Sequence, residues 1–563
     1  MLVWQAWYDG APRRTRFTKR GTHMKVLGLT DIIGPIMVGP SSSHTAGALR
    51  IASMARRLCL AEPQSVEFRL LGSFAHTRTG HGTDKALVAG ILGLEADDLR
   101  IRDSFSLAAQ AGLTFTFTPL PKADYEHPNT VDIFIQDTDG NKISVRGESI
   151  GGGAAVIRKI DDVDVYITGE NTSIVVRQHD EKGVLAHIAQ SISECGVNIA
   201  TTRLYRERKG DRAYTILETD QSISATTKAA IENHPAVLDV RIIPGSTPSE
   251  ADHNGAADLE EALDEFAEVD FTDATMLLEY CEQHHATLSE AFLAREKALS
   301  RSLCASAGTD DAKKYLAEAL AVMKEAVRQP AHKTLPSMGG LLGGEARKLE
   351  ELQERKGGVC DAQLADAVAF SMAVLETNAS MGRIVAAPTA GAAGVIPGVL
   401  LALQRSHGLS DEDLIQGLAA AAAVGYLITR NATVSGAEGG CQAEIGSAAS
   451  MAAAAAVELM GGTPAQCLDA ASNALTSLMG LVCDPIAGLV EVPCQKRNAA
   501  GAAVALTSAQ IALAGIENLV GFDQTVDAMY KVGRSLPFEL RESALGGIAA
   551  TPAACAWCSG CDS

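Results

Sequence analysis

Positive charge is the first thing this sequence is short of. It carries 48 Lys and Arg against 68 Asp and Glu, a net charge of −20. No basic surplus exists to neutralise phosphates, which argues against nucleic acid as a partner. Long apolar runs are missing too. The two most apolar windows, 386–403 and 448–457, are broken by Gly and Pro or cut short by Glu458, which predicts no membrane span. No secretory leader is visible, and 12 Cys among 563 residues are too few for a disulfide framework. They predict a reducing, cytoplasmic setting in which thiols stay free to hold metal. Two cofactor signatures are also absent. Glu148-Ser-Ile-Gly-Gly-Gly153 lacks the Gly-Lys-Ser/Thr ending of a phosphate loop, so it reads as a loop where backbone comes close to a ligand. No lysine stands in a Ser-x-Lys context beside a glycine-rich cup, as a pyridoxal phosphate Schiff base requires.

What is present is a large apolar fraction, 47%, in a chain long enough for several domains. Residues 1–23 are basic and unpatterned and read as an extension outside the fold. Residues 24–165 mix strands with helices, an α+β domain. Ser65–Leu71, Leu113–Thr118 and Val131–Gln136 alternate like strands, and Thr45–Leu60 has helical spacing after a Ser/Thr-rich turn. Residues 172–245 read βαββαβ, a ferredoxin-like order. Its strands are Ser173–Arg177, Val197–Tyr205, Arg212–Glu218 and Val237–Ile242, and its helices Val184–Glu194 and Ser224–Asn233. Residues 246–258 form a polar linker, 259–547 an all-helical Ala/Gly-rich domain, and 548–563 a Cys-rich tail.

Two groups of residues carry chemistry. Cys441, Cys483 and Cys494 stand 42 and 11 residues apart, each beside Gly, Pro or a small polar residue. Soft thiolates of this kind select zinc or iron–sulfur clusters. The absence of Cys-x-x-Cys among the three speaks against a zinc ribbon, and the bland alternative is three buried apolar cysteines. In the tail, Cys555, Cys558 and Cys561 do form Cys-x-x-Cys-x-x-Cys. His44 follows Ser41-Ser42-Ser43 in a turn that opens a helix. Hydroxyls and helix N–H groups there suit a carboxylate, and the imidazole suits a base near neutral pH. The alternative is a histidine that merely caps the helix.

Long stretches then match one family. They are Gly39-Pro-Ser-Ser-Ser-His-Thr45, Gly80-His-Gly-Thr-Asp84, Ser337-Met-Gly-Gly-Leu-Leu-Gly-Gly344, Ser380–Pro397, Ala437-Glu-Gly-Gly-Cys-Gln-Ala-Glu444, Cys483–Cys494 and Glu542-Ser-Ala-Leu-Gly-Gly547. From Met24 to Gly547 the chain resembles the bacterial iron–sulfur L-serine dehydratases, in a form that joins what some members carry as separate β and α chains. Asp180-x-x-Gly183-Val-Leu185 and Gly196-Val-Asn198-Ile199 resemble ACT regulatory domains. The resemblance implies conversion of L-serine to pyruvate and ammonia. It implies a 4Fe–4S cluster held by Cys441, Cys483 and Cys494, with Cys555 as the tail thiol that caps the fourth iron. His44 is then the base, with His81 orienting substrate. Ser41, Ser42, Ser43 and Thr45 bind substrate, and Lys496, Arg497 and Asn498 bind its carboxylate or tune the cluster. Asp180, Gly183 and Asn198 would line an amino-acid effector site, with serine the leading effector, and paired ACT units would make a homodimer. The rival from another class is an amino-acid sensor, which has no need of an open iron.

Overall fold

The computed structural model describes residues 26–560 apart from 121–122, 207, 220, 246–255, 304–310, 333 and 335. The expected extension 1–23, most of the expected linker 246–258, the Cys558 side chain and Cys561 lie outside the described residues.

The first unit is a six-stranded mixed sheet. Across it the strands run Thr114–Leu120, Pro63–Leu71, Thr130–Asp137, Lys142–Gly151, Ala154–Ile160 and Val163–Ile167. Only the first pair is parallel. Alternation along Pro63–Leu71 turns Val66, Phe68 and Leu70 into the core. Glu67 and Arg69, on the other face, pair at 2.9 Å. Helices Gly47–Arg57 and Thr83–Leu92 cover the apolar face. They cross at Gly90, where an added Cβ would stand 2.4 Å from the Leu49 carbonyl oxygen. Contact that close needs glycine. The stretch read as one helix from Thr45 opens instead as a π turn, Ser42–Ala46, before the α-helix begins. Such turns are rare and gather at functional sites.

Next come Thr172–His179, Val184–Glu194, Ile199–Arg206, Arg212–Thr219, Ala225–Glu232 and Val237–Ile243, strands and helices in the order βαββαβ. The four strands pair antiparallel, with Thr172–His179 and Arg212–Thr219 in the centre. Ile174, Val176, Ile188, Ile192 and Leu217 fill a small separate core.

Beyond this unit the secondary structure among the described residues is helical, with one exception to the all-helical expectation. Arg383–Val385 is a short strand, and it pairs antiparallel with Ile36–Val38 of the first unit. Helices Asp411–Asn431 and Ser447–Leu459 lie at the centre of this part, and Ala419, Ala420, Ala421, Ala422 and Ala448 have no exposed surface. Helices apolar on every side belong inside a core. Small side chains let their backbones approach, so dispersion spread over many contacts replaces the burial of large groups. A buried charge network adds a second tie to the first unit. Fully buried Arg295 pairs with Glu296 at 2.7 Å, and Glu296 accepts the Leu29 N–H at 2.8 Å. These two ties hold the Ser41–His44 turn against the helical part. No helix among the described residues is long and apolar enough to cross a membrane.

Candidate active site and metal centre

Cys441 follows Gly440, whose φ of 76° turns the chain out of the short helix Gly436–Gly439. It opens a second π turn, Gln442–Gly446. Cys483 sits in a loop pinned from the C-terminal side. Its N–H donates to the Leu540 carbonyl at 2.9 Å, and its carbonyl accepts the Glu542 N–H at 2.8 Å. Cys494 starts helix Cys494–Leu513. All three are buried, and all three line one cavity of about 320 Å³ together with Ser41, Ser42, Ser43 and His81. The Sγ atoms of Cys441 and Cys483 lie 4.0 and 3.8 Å from Glu444 Oε2. The hydrogen bond to Cys441, then burial, pushes the Cys483 thiol well above its ordinary range. Burial, then the nearness of Cys441 and Glu444, does the same for Cys494. Arg497 reaches the group from behind, 3.7 Å from Cys441 Sγ, while paired with Asp484 at 2.8 Å. Three buried thiols on one cavity are a costly place for uncompensated thiolates. They are a suitable donor set for a soft, positively charged metal group.

The first unit supplies the opposite wall. His44 is 1% exposed and both ring nitrogens meet hydroxyls, Nδ1 at 2.9 Å from Ser43 Oγ and Nε2 at 2.8 Å from Ser73 Oγ. Its N–H donates to Ser41 Oγ at 3.0 Å. The His81 ring stands 4.3 Å from that of His44, edge to face. His81 is 0% exposed, lines the cavity, and has no hydrogen-bond partner at either nitrogen. Burial, followed by the neighbouring His81, holds His44 well below the usual imidazole range. Burial lowers His81 to about 4, and the nearby Gly488 carbonyl offsets part of this. Both rings are therefore neutral near pH 7. His81 lines the cavity, whereas both nitrogens of His44 are held by hydroxyls.

Two carboxyls join the site that sequence reasoning did not single out. Glu444 lies three residues after Cys441, a spacing that puts both on one face of a helical turn and could have found it. Its Oε1 accepts the Thr389 hydroxyl at 2.9 Å, and burial raises its carboxyl. Glu542 carries no such local signal. Its backbone has a left-handed φ of 59°. One carboxylate oxygen and one ring nitrogen each of His44 and His81 lie within 4.8 Å of one another. Burial, then the charge of Glu444, pushes its carboxyl up to about 8. The Gly151-Gly152-Gly153 stretch is the turn between two strands, with φ of 102°, 58° and 81°, and its first two residues line the cavity.

Comparison with known proteins matches this two-walled arrangement. The family models described as serine dehydratase beta chain and serine dehydratase alpha chain match residues 29–159 and 219–549. The L-serine dehydratase of Streptomyces coelicolor is 31% identical over 527 residues, covering 91% of this chain and 96% of that one. The chain belongs to the serine dehydratase family. A probable L-serine dehydratase alpha chain of Bacillus subtilis is 43% identical over 282 residues, 50% of this chain and 92% of that one. The L-serine dehydratase beta chain of Peptoniphilus asaccharolyticus is 42% identical over 201 residues, 36% of this chain and 90% of that one. The chain thus joins beta-chain and alpha-chain regions in one polypeptide, the histidine wall coming from the first and the thiol wall from the second.

Several expected site residues fall elsewhere. Lys496 is exposed, because the helix begun by Cys494 turns it outward. Arg497 is committed to Cys441, Asp484 and the Val482 carbonyl, so it sits behind the thiols and not in the cavity. Asn498 is fully buried and holds backbone: it accepts the Gly394 N–H at 3.0 Å and donates to Gly391 and Cys494 carbonyls at 2.8 and 2.9 Å. Thr45 donates to the His81 carbonyl at 2.7 Å, tying the two histidine segments together. Cys555 is not brought to the other thiols. It lies exposed in helix Pro552–Gly560, its Sγ toward the Ala549 carbonyl at 3.9 Å. In the βαββαβ unit the Asp180 carboxylate accepts the Gly210 N–H at 2.8 Å and pairs with Arg206 at 2.9 Å. Gly183 caps helix Val184–Glu194 at φ 94°, and Asn198 is exposed with its N–H on Gln221.

Proposed function

We propose that this chain is an L-serine ammonia-lyase that forms pyruvate and ammonia, with Cys441, Cys483 and Cys494 holding a 4Fe–4S cluster. The observation that carries this reading is the convergence of three buried thiols on the cavity that Ser41, Ser42, Ser43 and the unpartnered His81 line. A thiolate-bound cluster with one open iron supplies a Lewis acid for the poor leaving group, hydroxide. The protein supplies the rest. The serine hydroxyls, at the start of the helical segment that runs on to Arg57, receive the substrate carboxylate. His81 takes the α-proton: the Cα–H pair becomes the Cα=Cβ bond as the Cβ–O bond breaks. The enamine then tautomerises, and hydrolysis of the imine releases ammonia and pyruvate. His44 fixes the His81 ring edge to face and is itself fixed by Ser43 and Ser73. The βαββαβ unit acts as an ACT-type regulatory domain, and pairing of two such units makes a homodimer, which light scattering of the pure protein checks.

The test is anaerobic purification followed by visible absorbance, EPR and pyruvate release from L-serine. Iron–sulfur absorbance together with pyruvate formation, both lost in Cys483→Ala, is the expected result. Activity that instead requires pyridoxal phosphate, or a colourless protein that binds serine without turnover after iron reconstitution, would overturn the reading.

A further inference from the structure

The cavity has a charge bias. Among the described residues it is lined by four carboxyl groups, those of Asp31, Glu438, Glu444 and Glu542, and by no lysine or arginine. Such a lining offers carboxyl oxygens as acceptors to the N–H groups of a ligand. All four already have polar neighbours, Glu542 the Ala437 N–H. Asp31 accepts the Gly28 N–H at 3.0 Å, Glu444 stands at the thiols, and Glu438 meets the Tyr530 hydroxyl at 3.3 Å. Glu542 is the one beside the histidines, within 4.8 Å of both. Its backbone is fixed there by the bond to Cys483 and by a parallel bridge between Cys483 and Arg541. His81, fully buried, lines the same cavity and makes no hydrogen bond at either nitrogen, with the Gly488 carbonyl nearby. The trio is poorly suited to a metal ion, because the hydroxyls of Ser43 and Ser73 already occupy both nitrogens of His44.

We propose that Glu542 receives the α-ammonium group of the substrate beside His81, and so sets the preference for amino acids over hydroxy acids of the same length. This assignment rests on the proposed serine chemistry and adds a residue that discriminates the substrate class. The ammonium, the α-hydrogen and His81 then share one side of the cavity, while the hydroxyl points to the thiol wall. The hydrogen bond from the ammonium to a Glu542 carboxyl oxygen is weakened when that carboxyl becomes an amide of the same shape, which can turn an NH2 toward the donor.

Two unreactive probes separate the substrate's groups. L-Alanine keeps the ammonium and lacks the hydroxyl; 3-hydroxypropanoate keeps the hydroxyl and lacks the ammonium. Both are titrated calorimetrically into the anaerobic holoenzyme and into Glu542→Gln, with KM and kcat for L-serine measured alongside. L-Alanine binding and 1/KM for serine should weaken roughly 10- to 100-fold in Glu542→Gln, with 3-hydroxypropanoate unchanged within about twofold. Glu542→Asp, which keeps the charge, should fall between, and it carries the comparison if the amide variant melts early. Equal weakening of both probes, or of neither, while wild-type enzyme deaminates serine, overturns the role of Glu542 and leaves the proposed function standing. A wild-type holoenzyme that neither binds L-alanine nor deaminates serine overturns both.

Discussion

Glu491 lies in the loop between Cys483 and Cys494, is 2% exposed, and accepts three hydrogen bonds from the Ser337–Gly344 stretch. The donors are Ser337 Oγ at 2.7 Å, Gly339 N–H at 2.7 Å and Leu341 N–H at 2.9 Å. Hydrogen bonds to a charged group are each worth about 1.5–3 kcal/mol net, and orphaning a buried donor costs about 1–3 kcal/mol. The three act as a unit, so simple addition overstates the loss. Glu491→Ala should cost on the order of 3–5 kcal/mol. Glu491→Gln, which keeps one acceptor oxygen but turns an NH2 toward a donor, should cost roughly half that. Because the loop ends in two of the three thiols, the same variants should release iron to a chelator faster than wild type. Differential scanning fluorimetry and chelator-release kinetics on anaerobic protein read the two effects. An alanine variant that melts with wild type and keeps its iron would show that the Ser337 stretch does not brace the thiol loop.

Three further outcomes follow from the structure. The unfolded chain protonates His81 below pH 6.5 and the folded chain only near pH 4. Stability should therefore fall as pH drops from about 6.5 to about 4, by about 3 kcal/mol in all, and His81→Asn should flatten that part of a urea-midpoint profile. An unchanged slope in the variant would place the titrating group elsewhere. Gly90→Ala forces a Cβ to 2.4 Å from a backbone oxygen, and overpacking of about 1–3 kcal/mol should lower the melting temperature of the first unit; a neutral result would mean that the two helices separate freely. Lys496→Ala changes an exposed side chain and should leave stability within about 0.5 kcal/mol and serine turnover unaltered, so a tenfold loss would put Lys496 back in the site.

The legible parts of the fold are those written in short-range periodicity. Val184–Glu194 is a helix with the bounds its apolar spacing predicts. Strands read at Ser65–Leu71 and Val131–Gln136 extend only to Pro63–Leu71 and Thr130–Asp137. The π turns at Ser42–Ala46 and Gln442–Gly446 were not legible, since an extra residue in a turn leaves no trace in a 3.6-residue pattern. Nor was the strand Arg383–Val385, three residues whose only support is pairing with Ile36–Val38. In the site, Cys441, Cys483, Cys494 and Ser41–His44 stood out by residue type and motif. Glu542 opened a matching motif but was given no role there, because its place depends on backbone pairing with a residue far away in sequence. Lys496, Arg497 and Asn498 misled for a related reason. Adjacent residues on a helix point in different directions, so proximity to Cys494 in sequence says little about proximity to the cavity.

The cavity's two walls come from opposite ends of the polypeptide, and Glu542 supplies the closing piece. Synthesis from the N-terminus therefore leaves the pocket open until almost the whole chain has emerged, and the first unit must wait, folded, for its counterpart. In relatives with separate alpha and beta chains, the walls meet by bimolecular encounter, at whatever concentration the cell maintains. Joining them covalently turns that encounter into an intramolecular one. Assembly of the pocket thereby becomes independent of expression level, and dilution no longer separates the imidazole from the thiols.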